Sequence, residues 1–261
     1  MDRLLEATAR AERDHFWFRG FRRFIEPLIA DTARRRASGP AGLDILDCGC
    51  GTGNNLIMLR RYGRAYGIDL TWSGLQYAHA RGDRLLSRGT VASLPFPDER
   101  FDLVTSFDVL YSLQDDIERH AIAEMFRVLK PGGRAIVNVA ALEALRGNHS
   151  VLANEVRRYS RPDLKRRLEA AGFRVAHITY TNFSILPLVA AIRLKQRIGG
   201  HEESQEEISI PPAPINAVLS GLLAVEAALG RVVNMPLGSS LVAVGEKSGG
   251  DGGHGGRGSG R

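Results

Sequence analysis

Short apolar runs alternate with longer segments of helical period along most of this chain. "LDILDC" (43–48) is brief, apolar and followed by glycine, which predicts a buried strand. "NNLIMLRRY" opens a helix, "RAYGIDL" is a second strand, and "TWSGLQYAHAR" is a second helix with Thr71 or Ser73 placed to cap it. "FDLVTSFDVLYSL" begins as a strand. "DDIERHAIAEMFRVLKPGG" reads as a helix stopped by Pro131 and Gly132, and "RAIVNVA" as the next strand. "RPDLKRRLEAAGF" is a helix with Asp163 near its start, while "RVAHITYT" and "SSLVAVGEK" are strands. This alternation predicts an α/β fold: a mostly parallel sheet with helices on both faces.

Material outside the alternating core has its own pattern. Residues 1–36 read as an amphipathic helical lid carrying the aromatic, basic segment "HFWFRGFRRFI". Residues 40–181 form the core, 182–237 a helical insert, and 238–247 the last core strand. The insert has two apolar helical patterns, "ILPLVAAIRLKQRI" and "PINAVLSGLLAVEAALGRVV", separated by "GGHEESQEE" and "PPAP". The tail 248–261 is glycine- and serine-rich and is expected to be disordered.

Composition adds limits. Net charge is +6, yet arginines scattered along helices supply most of the basic residues, so the balance does not point to nucleic acid. The uncharged stretches 175–192 and 208–225 contain proline and polar residues, unlike membrane spans. The charged N-terminus is unlike a secretory signal. Cys48 and Cys50 are the two cysteines; one residue apart at a strand end, they point to opposite sides and are badly placed for a disulfide. They predict a reduced cytoplasmic protein without a metal site.

The chemistry concentrates in "ILDCGCGTGNN" (45–55), where Gly49, Gly51 and Gly53 alternate. In an open parallel sheet, ligands bind beyond the carboxyl ends of the strands. Glycines there let a ligand approach backbone N–H groups at a helix start. Asp69 ends the second strand, 20 positions past Gly49, where a carboxylate accepts hydrogen bonds from ribose hydroxyls. An adenosine-containing ligand is expected. A dinucleotide loop would read G-x-G-x-x-G; here the spacing is G-x-G-x-G, preceded by Asp47.

The segment "LDCGCGTG" resembles motif I of class I S-adenosylmethionine-dependent methyltransferases. "GIDL", "LPFPDERFDLV" and "EMFRVLKPGGRAIV" follow in that family's order. The resemblance covers about residues 40–180 and implies a Rossmann-like, seven-stranded sheet with S-adenosylmethionine as cofactor. It implies that Asp47 and the backbone at Gly49 hold the methionine end, with Cys50 in the same loop. Gly51 and Gly53 permit close approach, Asp69 takes the ribose, and Leu70 packs on adenine. Thr90 stands where the family often has an acid, leaving the backbone of Val91 to serve adenine. "HFWFRGFRRFI", "RRYSRPDLKRRLEAAGF" and "NMPLGSSLVAVGEK" resemble a bacterial small-molecule subgroup.

Methyl transfer needs alignment of nucleophile, methyl and sulfur, and for oxygen or amine nucleophiles a base. Loops above the strand ends offer Asp108, Tyr111 and His149 for that chemistry, with Phe107 beside the cofactor and Trp17 and Arg19 in the lid. Arg157 and Arg158 read as a solvated pair or an anion clamp. Rival readings are a catalytically silent binding protein on the same fold and an NAD-dependent oxidoreductase. A nucleic-acid amino methyltransferase is disfavoured because "SFDVLYS" lacks its Asp/Asn-Pro-Pro-aromatic motif. A small-molecule acceptor is expected, walled in part by the insert's apolar faces and so hydrophobic or lipid-linked. Arg193, Lys195 and Arg197 along the insert's first helix also suit weak membrane-surface contact.

Overall fold

The computed structural model describes residues 11–36, 42–146, 154–198 and 210–249. Residues 1–10 of the lid, His149, the acidic linker and residues 250–261 of the tail lie outside them.

The elements follow in chain order as α1 (Phe16–Arg36), β1 (Leu43–Cys48), α2 (Asn54–Leu59), β2 (Gly63–Asp69), α3 (Trp72–Ala80) and β3 (Leu86–Arg88). Then come β4 (Phe101–Phe107), α4 (Asp115–Val128), β5 (Leu129–Ala140), α5 (Arg161–Ala170), β6 (Arg174–Thr181), α6 (Leu186–Ile198), α7 (Ala213–Leu229) and β7 (Ser240–Glu246). The seven strands form one sheet in the order β3-β2-β1-β4-β5-β7-β6. The first five run parallel, and β7 is antiparallel to both β5 and β6. β1 pairs with β2 on one side and β4 on the other. The chain therefore leaves β1 and β4 in opposite directions, which opens a crevice at their carboxyl ends.

The two-residue period of β1 divides the core. Leu46 and Cys48 pack with α4 and α5 through Ile122, Met125, Leu164 and Leu168. Leu43 and Ile45 pack on the other face with Ile25 and Ile29 of α1 and with Leu56, Met58, Leu59 and Leu75 of α2 and α3. Cys48 and Cys50 fall in these separate clusters, both as free thiols.

The insert joins the sheet to the lid. A Cβ on Gly20 would run into the Leu223 side chain, so α1 and α7 cross in close contact there. Asn216 Oδ1 accepts from the Phe16 N–H at 2.8 Å and its amide donates to Asp14 O at 3.0 Å. The buried Glu226 carboxylate accepts from the N–H groups of Phe183 and Ser184, both at 2.8 Å, and from Ser184 Oγ at 2.7 Å. These bonds anchor the chain just before α6. Phe16, Ile185 and Leu223 form a small core of their own, flanked by Trp17, Phe24, Val189 and Leu219.

Four local readings need correction. The N-terminal segment is not one helix: helical residues 11–14 are separated from α1 by a bend at His15, whose Nδ1 accepts the Trp17 N–H at 3.1 Å. Pro131 and Gly132 do not stop α4. The helix ends at Val128 and β5 begins at Leu129, because Leu129 already pairs with Phe101 and the Gly132 N–H donates to Lys247 O at 2.8 Å. Thr71 occupies the N-cap of α3 without a side-chain cap bond; its own N–H instead donates to Asp69 Oδ1 at 2.7 Å. Arg157 and Arg158 are neither a solvated pair nor an anion clamp. Arg157 is paired with the fully buried Glu118 and with Asp115, and Arg158 holds Glu155 at 2.8 and 3.0 Å. The capping by Ser160 of α5, through the Asp163 N–H at 3.3 Å, matches the expected helix start.

Candidate active site

The glycine turn is built where β1 runs out. Gly49, Gly51 and Gly53 have φ of +81°, +51° and +75°, a left-handed path that side-chain-bearing residues take at a cost. The N–H groups of Gly49 and Cys50 donate to Ile68 O at 2.8 and 3.1 Å, lashing the turn to the end of β2. Each glycine answers a different constraint. A Cβ on Gly49 would meet Val109, and one on Gly53 would meet Ala78 and Asp83. A Cβ on Gly51 would meet nothing within 4 Å. Gly51 thus faces open space, the cradle expected of a backbone-bound ligand.

Asp69 is fixed from both sides. Oδ2 accepts the Gly51 N–H at 2.8 Å and Oδ1 the Thr71 N–H at 2.7 Å, so the carboxylate stands rigidly at the mouth with lone pairs to spare. Beyond it, Leu70 and Trp72 are 63% and 55% exposed, an apolar shelf that the protein itself leaves uncovered. The Arg88 guanidinium lies 5.9 Å from the Trp72 ring. Thr90 Oγ1 accepts the Ala92 N–H at 3.2 Å, and Val91 is buried in the core.

Asp47, at the end of β1, is 1% exposed. Thr105 Oγ1 donates to its Oδ1 at 2.7 Å, whereas Oδ2 is buried without a partner. Burial, reinforced by the charge of Asp69, pushes its carboxyl up to about 7 against the pull of Thr105. A buried carboxylate with one orphaned oxygen beside an open glycine turn fits a cationic ligand group. Asp47, Gly49, Gly51 and Asp69 together fit the methionine and ribose ends of S-adenosylmethionine.

Across the crevice, β4 ends in Phe107 and Asp108. Phe107 is buried, its ring edge-on to Phe21 of α1 with 5.1 Å between centroids. Asp108 has φ of +60°, which turns its side chain out at the strand end. It is exposed to the crevice while protein crowds its other sides, and this desolvation raises its carboxyl to about 7. Asn138 Nδ2 donates to Oδ1 at 2.8 Å and opposes the rise; the charge of Glu155 adds to it. Tyr111 is pushed far above the ordinary phenol range by burial and by the charges of Asp108 and Glu155, so its hydroxyl stays protonated. Its carbonyl accepts the N–H groups of Val156 and Arg157 at 2.8 and 3.3 Å, holding the segment after residue 154 against the crevice.

The lid approaches the turn through a residue with no sequence signal. Glu12 Oε2 accepts from Thr52 Oγ1 at 2.9 Å, within the glycine turn, and burial raises its carboxyl. Arg22 Nη1 holds the Glu12 carbonyl at 2.7 Å. Trp17 is half-buried in the lid–insert core, and Arg19 is exposed. Asn138 and Glu155 were also missed; Asn138 was detectable as the one amide in the apolar run "RAIVNVA". A separate cavity of about 1060 Å³ lies away from these residues, between α1, α7 and the β6–β7 face.

A family described as a methyltransferase domain matches residues 46–137. A probable S-adenosylmethionine-dependent methyltransferase of Mycolicibacterium smegmatis is 30% identical over 166 residues, 62% of this chain and 61% of that protein. An O-methyltransferase of Aspergillus nomiae is 30% identical over 159 residues, 55% of this chain and 70% of that protein. The chain thus spans less than two thirds of the length of the mycobacterial relative. Among solved structures, the complex between the Haloferax volcanii Trm112 methyltransferase activator and a methyltransferase matches with a TM-score of 0.58 at 23% identity, over 93% of both chains. That likeness shows the fold.

Proposed function

The chain belongs to the class I S-adenosylmethionine-dependent methyltransferases, and from that premise we propose that it methylates a small molecule held between the glycine turn and Asp108. S-adenosylmethionine, the cofactor, supplies a methyl group already activated on a sulfonium. The observation that carries the reading is the open space at Gly51 beside a carboxylate, Asp69, that the turn's own backbone holds in place.

The chain's residues then have distinct tasks. Asp47 and the backbone at Gly49 and Cys50 hold the methionine end. Gly51 and Gly53 keep side chains out of the way. Asp69 accepts the ribose hydroxyls, a contact strengthened by its charge. Leu70 packs on adenine, and Thr90 and Val91 offer backbone to it. Phe107 closes the floor, and Trp17 and Arg19 of the lid cover the methionine end and keep water out. Asp108 takes the proton from the attacking group, with Asn138 fixing its orientation. Tyr111 donates a hydrogen bond to the acceptor rather than acting as base. His149, outside the described residues, is the further candidate base. The name of the Aspergillus relative supports an oxygen nucleophile, the kind that needs such a base.

An amphipathic or lipid-linked acceptor suits the half-buried apolar side chains at the edge of the lid–insert core, Trp17, Phe24, Val189 and Leu219, whereas Phe16, Ile185 and Leu223 are buried within it. Leu188, Ile192, Val218, Leu222, Val225 and Leu229 of the insert are exposed and do not contribute to it. The test is incubation with methyl-labelled S-adenosylmethionine and acceptors spanning polar to apolar alcohols and phenols. Label on an apolar oxygen acceptor is expected. Tight cofactor binding with no transfer to any acceptor or cell extract would favour the silent binding protein instead.

A further inference from the structure

Most of the exposed large apolar side chains among the described residues lie between Phe183 and Leu237. On α7 they form a stripe: Ile215, Val218, Leu222, Val225 and Leu229, followed by Val232 at 82% exposure just past the helix end. The spacing of three and four residues keeps them on one side of the helix. The only charged residue in α7, Glu226, is buried and committed to α6's start, and the polar Asn216 and Ser220 are buried against the lid. The helix has therefore turned its polar face inward and its apolar face out, the reverse of a solvated surface helix. No helix among the described residues is long and apolar enough to cross a membrane.

The cavity between α1, α7 and the β6–β7 face adjoins this stripe, since Ala224, Ala228 and Arg231 line it. Its lining carries Arg23, Arg34, Arg35, Arg134, Arg174 and Arg231 against Glu26, Asp31 and Glu246. Asp31 and Glu246 are engaged in ion pairs with these arginines, so the excess charge of the rim is positive. The sequence of α6 contains no acidic residue to offset it. A second copy of the chain would bring like charges together along this face. An anionic surface complements it.

We propose that the outer face of α7 docks on an anionic phospholipid bilayer, the apolar stripe entering the interface and the arginine-rimmed groove taking lipid phosphates. Peripheral binding of this kind combines apolar burial with electrostatic attraction and weakens as salt screens the charges. Docking would bring the lid and its apolar core to the membrane, where lipid-linked acceptors reside, but vesicle binding is independent of methyl transfer and is measured without it.

The experiment is flotation of the full chain with vesicles of phosphatidylcholine alone or with phosphatidylglycerol added. Binding to the anionic vesicles at least about tenfold above the neutral ones, and loss of that preference at high salt, is the expected result. Leu222→Asp and Arg231→Gln should each cut anionic-vesicle binding severalfold while leaving the melting temperature unchanged, since both positions are exposed. Equal absence of binding to both vesicle types overturns the proposal. So does a stable dimer in size-exclusion chromatography that Leu222→Asp converts to monomer, because the face would then belong to a second copy.

Discussion

Two carboxylates raised to about 7 bear on the chemistry of single residues here, Asp47 buried in the core and Asp108 facing solvent but crowded by protein. Asp108, held by Asn138 and raised to about 7, is ionised enough at neutral pH to take a proton yet basic enough to want it. The expected outcome is a methyl-transfer rate that climbs with pH through about 7. Asp108→Asn should lower kcat on the order of 100-fold and flatten that profile. A profile unchanged in the variant would move the base elsewhere. Asp47 has a different consequence. In the free chain its folded-state carboxyl is raised from 3.8 to about 7, so the folded state holds a proton that the unfolded chain releases. Its contribution is fully present below about pH 4 and is lost as pH rises through about 7. Asp47→Asn removes that dependence. Chemical denaturation at pH 5 and pH 8 should show the variant gaining on the wild type by about 1–3 kcal/mol at the higher pH. At this scale the sequence was most informative where glycines and acids share a motif. It was silent where a contact crosses 40 positions, as for Glu12 and Thr52, because neither residue type nor spacing marks such a pair.

At the scale of elements, the lid, α6 and α7 depend on one buried acid. Glu226 is buried and accepts three hydrogen bonds from Phe183 and Ser184, which its removal leaves without their partner. Glu226→Ala is expected to destabilise the fold by about 2–4 kcal/mol, read from denaturant midpoints. A change below about 0.5 kcal/mol would mean that these bonds form equally well with water. The buried strands β1, β4 and β5 and the amphipathic α4 and α5 were legible because periodicity reports which face is buried. β3 was not, since its three residues, Leu-Ser-Arg, have no pattern long enough to read and owe their strand to pairing with β2. The start of β5 was misread for a related reason. Proline and glycine usually end helices, but here the pairing of Leu129 with Phe101 ends the helix first.

Among the described residues, a mostly parallel sheet has its crevice at the carboxyl ends of β1 and β4, and a helical insert packs against the lid. Family membership and fold follow from the order of motifs and strands together, and the apolar outer face of α7 emerges only once packing has decided which of its apolar residues are buried. The central claim is that the glycine turn and Asp69 hold S-adenosylmethionine, and titration calorimetry tests it most directly. The wild-type chain should bind S-adenosylmethionine and not NAD. Asp69→Ala should weaken binding by about 2–3 kcal/mol through loss of charge-assisted bonds. Gly51→Val should abolish binding, with the fold retained by circular dichroism, because its side chain fills the open space at the turn. Undiminished affinity in both folded variants would contradict the account.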